Sequence, residues 1–149
     1  MKTYAATGQG DVGTDKTIMG VTASASVRPQ VIYMAFGAGD AVADATGIFQ
    51  VRRSTAAGTS TAVTPKPLDP ADIAAVATSG ENHSVEPTYT AAEELWQMGM
   101  NQRNSCQWWA YDADARIVIP ATAANGIGLK TLSYSAGTPN VDATVHWKE

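Results

Sequence analysis

Cysteine is almost absent from this sequence. Cys106 is the only one in 149 residues, so no disulfide can close within the chain and no cysteine-based zinc site can be built. Histidine is nearly as scarce. His83 and His146 have no His or Cys partner at metal-ligand spacing, and His146, on the polar side of its strand, reads as a solvated side chain. Charged residues make up only 16% of the chain, with a formal charge of −4 and a pI near 5.0. No run of Lys or Arg longer than two residues occurs. That argues against a general nucleic-acid binder or a basic membrane-surface patch. No stretch approaches the ~20 apolar residues of a membrane span, and no N-terminal apolar run is long enough for a signal peptide. The expectation is a chain made and kept in the cytoplasm of its producing cell, where the sequon Asn82-His83-Ser84 carries no glycan.

The signatures of catalysis are thin as well. There is no Gly-x-Ser-x-Gly elbow. The turn Gly37-Ala38-Gly39-Asp40 lacks the Lys and Ser/Thr of a phosphate loop. Cys106 lies among tryptophans, a poor setting for an activated thiolate. Asp112-Ala113-Asp114 lacks the later Gly and Glu of a calcium loop and reads as a solvated turn. Glu93-Glu94 and Glu81/Glu86 are carboxylate pairs, but glycosidase chemistry needs two carboxylates facing across a cleft. The expectation is no enzyme, no cofactor and no metal.

What is abundant is alternation. Hydrophobic residues reach 44%, enough for one domain with a real core. From Ile18 to Val27, Met19, Val21, Ala23, Ala25 and Val27 face one way, and Gly20, Thr22, Ser24 and Ser26 the other. Gln30 to Phe36 is apolar on both faces, which calls for an internal cover or a partner chain. Leu95 to Asn101 puts Trp96, Met98 and Met100 on one side. Ser105 to Tyr111 sets Cys106, Trp108 and Ala110 against Gln107, Trp109 and Tyr111, so the two adjacent tryptophans point oppositely. Ile117 and Ile119, then Ile127 to Tyr134, then Val141 to Lys148 supply further strands, with Val141, Ala143, Val145 and Trp147 inward. Turns fall at Asn101–Asn104, Tyr111–Ala115, Asn125-Gly126 and Gly137–Asn140. About eight short strands at regular turn spacing predict an all-β, two-sheet antiparallel β-sandwich or jelly roll.

Residues 1–17, small and polar with three close glycines, read as a flexible N-terminal arm carrying Tyr4 as a single anchor, and 18–149 as the sandwich. Asp69 as N-cap, Pro70 at the first helical position and Gly80 as stop predict one short helix from Asp69 to about Ser79, plugging one end.

Ordered phrases along residues 28–147 carry a resemblance. They are FQVRRSTAAGTSTAVTPKPLDPADIAA from Phe49, GENHSVEPTYTAAEEL from Gly80, NQR from Asn101 and VIPATAANGIGL from Val118. The chain resembles the jelly-roll head decoration, or cement, proteins of tailed bacteriophages. The resemblance implies a structural virion protein on the outer capsid surface. Its partners would be the major capsid protein and its own copies in a homotrimer, with no nucleic acid or membrane involved. Candidate interface residues are Tyr4, Tyr33, Phe36, Arg52, Arg53, Trp96, Trp109 and Tyr111. Arg52-Arg53, the only doubled basic pair, must point to opposite faces of its strand. The rival readings are a carbohydrate- or receptor-binding β-sandwich that stacks sugar on Trp109 and Tyr111, and a small tail or neck protein. A decoration protein should cover its aromatics in an oligomer, whereas a sugar-binding module should leave a flat aromatic strip open.

Overall fold

The computed structural model describes residues 1–137 and 139–149. They form twelve strands in two antiparallel sheets and, among the described residues, no helix. The first sheet contains β1 (Thr3–Asp11), β3 (Gln30–Ala38), β6 (Lys66–Pro67), β9 (Ser105–Trp109), β10 (Ile117–Val118) and β12 (Asn140–Lys148). Its order is β10-β3-β12-β1-β6, and β9 pairs with β3. The second contains β2 (Lys16–Thr22), β4 (Thr46–Ala56), β5 (Thr59–Val63), β7 (Thr78–Val85), β8 (Thr88–Asn101) and β11 (Gly126–Tyr134). Its order is β5-β7-β2-β11-β4-β8. The architecture is the expected β-sandwich, with twelve strands in place of about eight.

The core lies between the sheets. In β12 the alternation works as anticipated: Val141, Ala143, Val145 and Trp147 are wholly buried, while Asp142 faces water. Phe36 of the first sheet meets Phe49 of the second at 5.1 Å between ring centroids and lies parallel to Trp96 at 5.9 Å. Aromatic pairs at such separations add to the area that they bury. The strand expected from Ile18 to Val27 stops at Thr22, and Ala25-Ser26 is already a turn. The turn expected at 137–140 includes Thr138, which lies outside the described residues.

Two expectations are corrected. Residues 3–11 are not a flexible arm. They form β1, an interior strand paired along its length with β12 and at Tyr4-Ala5 with β6. Its inward positions are Tyr4, Ala6, Gly8 and Gly10, all buried, and Thr7, Gln9 and Asp11 alternate outward. The period is present, but two of its four inward residues have no side chain to show it. At Gly8 the reason is a close approach: a Cβ there would stand 2.7 Å from the Glu81 Cβ. The Glu81 carboxylate accepts from the Gln9 amide at 2.6 Å.

The helix at Asp69–Ser79 is absent. Asp69 does accept from the Ala71 amide at 3.0 Å, and a single turn is closed by the Asp72 amide on the Asp69 carbonyl at 3.0 Å. Beyond that turn, tertiary partners take the backbone groups that a helix would need. The Tyr4 hydroxyl donates to the Ile73 carbonyl at 3.2 Å. The Glu149 carboxylate accepts from the Val76 and Ala77 amides at 2.5 and 3.1 Å. An isolated helix of about ten residues is marginal in any case. The segment instead bridges from β6 in one sheet to β7 in the other.

The second sheet has an unusual crossing. β4 runs into β5 through Ala57-Gly58, and β7 into β8 through Glu86-Pro87. The β4/β8 pair lies at one edge of the sheet and the β5/β7 pair at the other. Both connections therefore pass together over the outside of β2 and β11. They cross where Gly20 pairs with Gly128. A Cβ on Gly20 would press on the His83 ring at 3.3 Å, and one on Gly128 would fall on the Tyr89 hydroxyl. The paired glycines make the saddle in which His83 and Tyr89 sit.

Candidate functional site

The doubly apolar strand β3 finds most of its cover inside the chain. Its inward residues Val31, Met34 and Phe36 are core. On its outer side, Tyr33 is directly opposite His146 of β12 and Trp109 of β9 in register. The Tyr33 ring lies 4.5 Å from Trp109 and 5.0 Å from His146 between centroids. The strand carrying the two tryptophans turns them to opposite faces: Trp108 packs against the core, and Trp109 is 64% exposed. The chain then bends through residues 110–116, where Tyr111 is 89% exposed.

These elements enclose a shallow groove of about 350 Å³ on the outer face of the first sheet. Its base is Ile32, Tyr33 and His146, one wall is Trp109 to Ala113, and Arg116 and Lys148 stand at its rim. The Asp112 carboxylate accepts from the Asp114 and Ala115 amides, both at 2.8 Å, which fixes the wall as an Asx-type turn. The Gln30 side-chain oxygen accepts from Arg116 at 3.0 Å and orients the guanidinium. Burial lowers the pKa of His146, below an ordinary histidine value of about 6.5. At neutral pH the groove's positive charge therefore comes from Arg116 and Lys148.

Of the residues anticipated at an interface, Tyr33, Trp109 and Tyr111 come together here. The others do not. Tyr4 and Phe36 are buried to within 2% and serve the core. Trp96 is half-buried against Phe36. Arg52 and Arg53 do point to opposite faces, and each meets an acid of its own chain. Arg52 pairs with Glu94 and Arg53 with Glu93, both at 3.2 Å. Arg52 also donates to the Thr90 carbonyl at 3.1 Å, and Arg53 reaches across the sandwich to the Val118 carbonyl at 2.7 Å. They tie β8 and β10 to β4.

His146, Arg116 and Lys148 were not anticipated at a site. Nothing local marks them: only the register of β12 on β3 brings His146 to Tyr33. A second surface lies where the sequence predicts a helix. The bridging segment forms a lobe on which Leu68, Ile73 and Val76 are 54%, 67% and 45% exposed. It is held in place by Tyr4, by Glu149 and by a Lys2–Asp72 ion pair at 3.3 Å.

Several other titratable groups make contacts within the fold. Beneath the crossing, Glu86 accepts from the Thr17 amide at 3.0 Å and from its hydroxyl, which also lies 2.5 Å from the Tyr89 hydroxyl. Lys130 is almost wholly buried, pairs with Asp15 at 2.5 Å and lies 4.4 Å from the centre of the Tyr89 ring. Burial pushes the Cys106 thiol up to about 11, so it is not a thiolate at neutral pH. Among the described residues, no group of three His, Cys, Asp or Glu side chains is placed to hold a metal ion. Set against protein-family models, curated proteins and solved structures, the chain matches none of them.

Proposed function

We propose that this protein is a structural component of a tailed-phage virion, a decoration protein that binds the outer surface of the head and strengthens it. The observation that carries the reading is the lobe at residues 68–76. Three large apolar side chains stand in water there on a segment tied down at both ends. A fixed apolar projection of this kind suits burial against another protein. Covering it would contribute roughly 25 cal/mol for each Å² removed from water. The partners are the major capsid protein and further copies of this chain, and a trimer suits the local three-fold positions of an icosahedral shell. The sequence resemblance supports the same assignment. Attachment involves no reaction. Neighbouring capsid subunits are held together because each copy buries surface on more than one of them.

The test is co-sedimentation with phage heads lacking the native copy, with solution mass measured by light scattering. The expected result is a trimer that binds heads. Leu68→Asp with Ile73→Asp should abolish attachment without lowering the melting temperature, because both side chains are exposed. A wild-type protein that stays monomeric at tens of micromolar and leaves heads bare would overturn the reading.

A further inference from the structure

The groove on the first sheet shares no residue with the lobe, and its chemistry is different. Trp109 and Tyr111 offer exposed aromatic rings, with Tyr33 edging the floor. An aromatic ring has an electron-rich face. It attracts polarised C–H bonds, which one side of a pyranose ring presents together. Around the rings stand both kinds of hydrogen-bonding group. Asp112 accepts, and one of its oxygens remains free of the Asp114 and Ala115 amides. Arg116 and Lys148 donate and are positive. A volume of about 350 Å³ falls at the small end of ligand sites.

We propose that this groove binds a carboxylate-bearing saccharide, a uronic or sialic acid unit of a larger glycan. One sugar ring stacks on Trp109, and Tyr111 closes over it or over the next unit. Arg116, held by Gln30, takes the sugar carboxylate with Lys148 beside it, the geometry in which an arginine fork serves best. Asp112 accepts from ring hydroxyls. The same Asp112 disfavours a polyphosphate backbone, which would bring several negative charges to a groove with two cations. The ligand class is thus set by the mixture: rings for the sugar face, an acid for its hydroxyls and a paired cation for its single charge. In a decoration protein, such a groove would bring a particle to glycan on a cell surface. It works equally in a protein of any other assembly, since it needs nothing from the lobe.

The test uses the full chain, titrated with hyaluronan tetrasaccharide, digalacturonate, sialyllactose, neutral maltotetraose and an oligothymidylate, followed by calorimetry and tryptophan fluorescence. The expected result is binding of at least one acidic saccharide in preference to maltotetraose, with little binding of oligothymidylate. Trp109→Ala should weaken that binding about tenfold or more, equivalent to about 1.4 kcal/mol. Arg116→Gln should remove the preference for the acidic sugar while weak binding to the neutral one remains. Trp109 is exposed and Arg116 is half-buried at the groove, so circular dichroism melts of the variants should stay close to the wild type. No binding of any acidic saccharide, an undiminished affinity in Trp109→Ala, or tighter binding of oligothymidylate would each overturn the proposal. Head binding by Trp109→Ala is a separate readout. Its retention leaves the decoration reading standing whatever the sugar result.

Discussion

Gly20 and Gly128 show how much a missing side chain can decide. They face each other across β2 and β11, and the space above them holds His83 and Tyr89. Gly128→Ala would put a methyl group on the Tyr89 hydroxyl. The expected cost is about 1–3 kcal/mol, typical of overpacking a filled site, read as a lower urea midpoint. Combined with Tyr89→Ala the two effects should not add, because both act on one contact. Simple additivity would mean that the ring does not sit on the glycine. His83 carries a second residue-scale expectation. It is buried, and its Nδ1 has no hydrogen-bond partner. Burial lowers its pKa, the nearby Glu86 opposing. The unfolded chain therefore takes up the proton more readily than the folded one. Stability is complete above about pH 6.5 and is lost as the pH falls through the folded-state value. The urea midpoint should drop on acidification, and His83→Gln should lose much of that dependence. Part of it should remain, because the pKa of His146 is lowered too. A variant as acid-sensitive as the wild type would remove His83 from the account.

At the scale of elements, β1 carries more than its composition suggests. It lies between β12 and β6 and buries Tyr4 against Trp147 at 6.2 Å between ring centroids. Removing residues 1–11 should therefore unfold the sandwich rather than free a tether. It would strip β12 of one neighbour and expose its backbone N–H and C=O groups. Losing Tyr4 alone should cost about 3–5 kcal/mol, by analogy with other large aromatic side chains. The checks are circular dichroism and light scattering of the truncated chain. A soluble protein with an unchanged melt would show that β1 is dispensable. The strand was hard to read because its inward set ends in Gly8 and Gly10. The capping signals at Asp69 were legible and chemically correct, since Asp69 does accept from Ala71. They failed as a helix prediction because capping fixes only a first turn. The path of the chain beyond that turn was settled by Tyr4 and Glu149, which are distant in sequence.

In the whole molecule, strands next to each other in sequence are seldom paired. β1 joins β12, and β2 lies between β7 and β11. Such pairings close long loops before they gain contacts, which slows folding. Refolding from urea, followed by stopped-flow tryptophan fluorescence, should take milliseconds to seconds. A microsecond phase accounting for the whole signal would contradict this topology. The crossing over β2 and β11 forms correctly only when both the β4–β5 and β7–β8 connections are in place. The contact of buried Lys130 with the Tyr89 ring and the Glu86–Thr17 bonds hold it.

By itself the sequence determined the class of fold, most strand positions and the opposite facing of Trp108 and Trp109. All of these come from the two-residue period of an extended chain, a local property of the backbone. The inward face of β12 was legible for the same reason, since Val141, Ala143, Val145 and Trp147 repeat at that period. Only the tertiary structure decided which strands pair, and with them every surface of interest. Register set His146 and Trp109 around Tyr33, turned Arg52 and Arg53 toward Glu94 and Glu93, and left Leu68, Ile73 and Val76 in water. Those outcomes depend on contacts between residues tens of positions apart, and no local pattern encodes a partner at that distance.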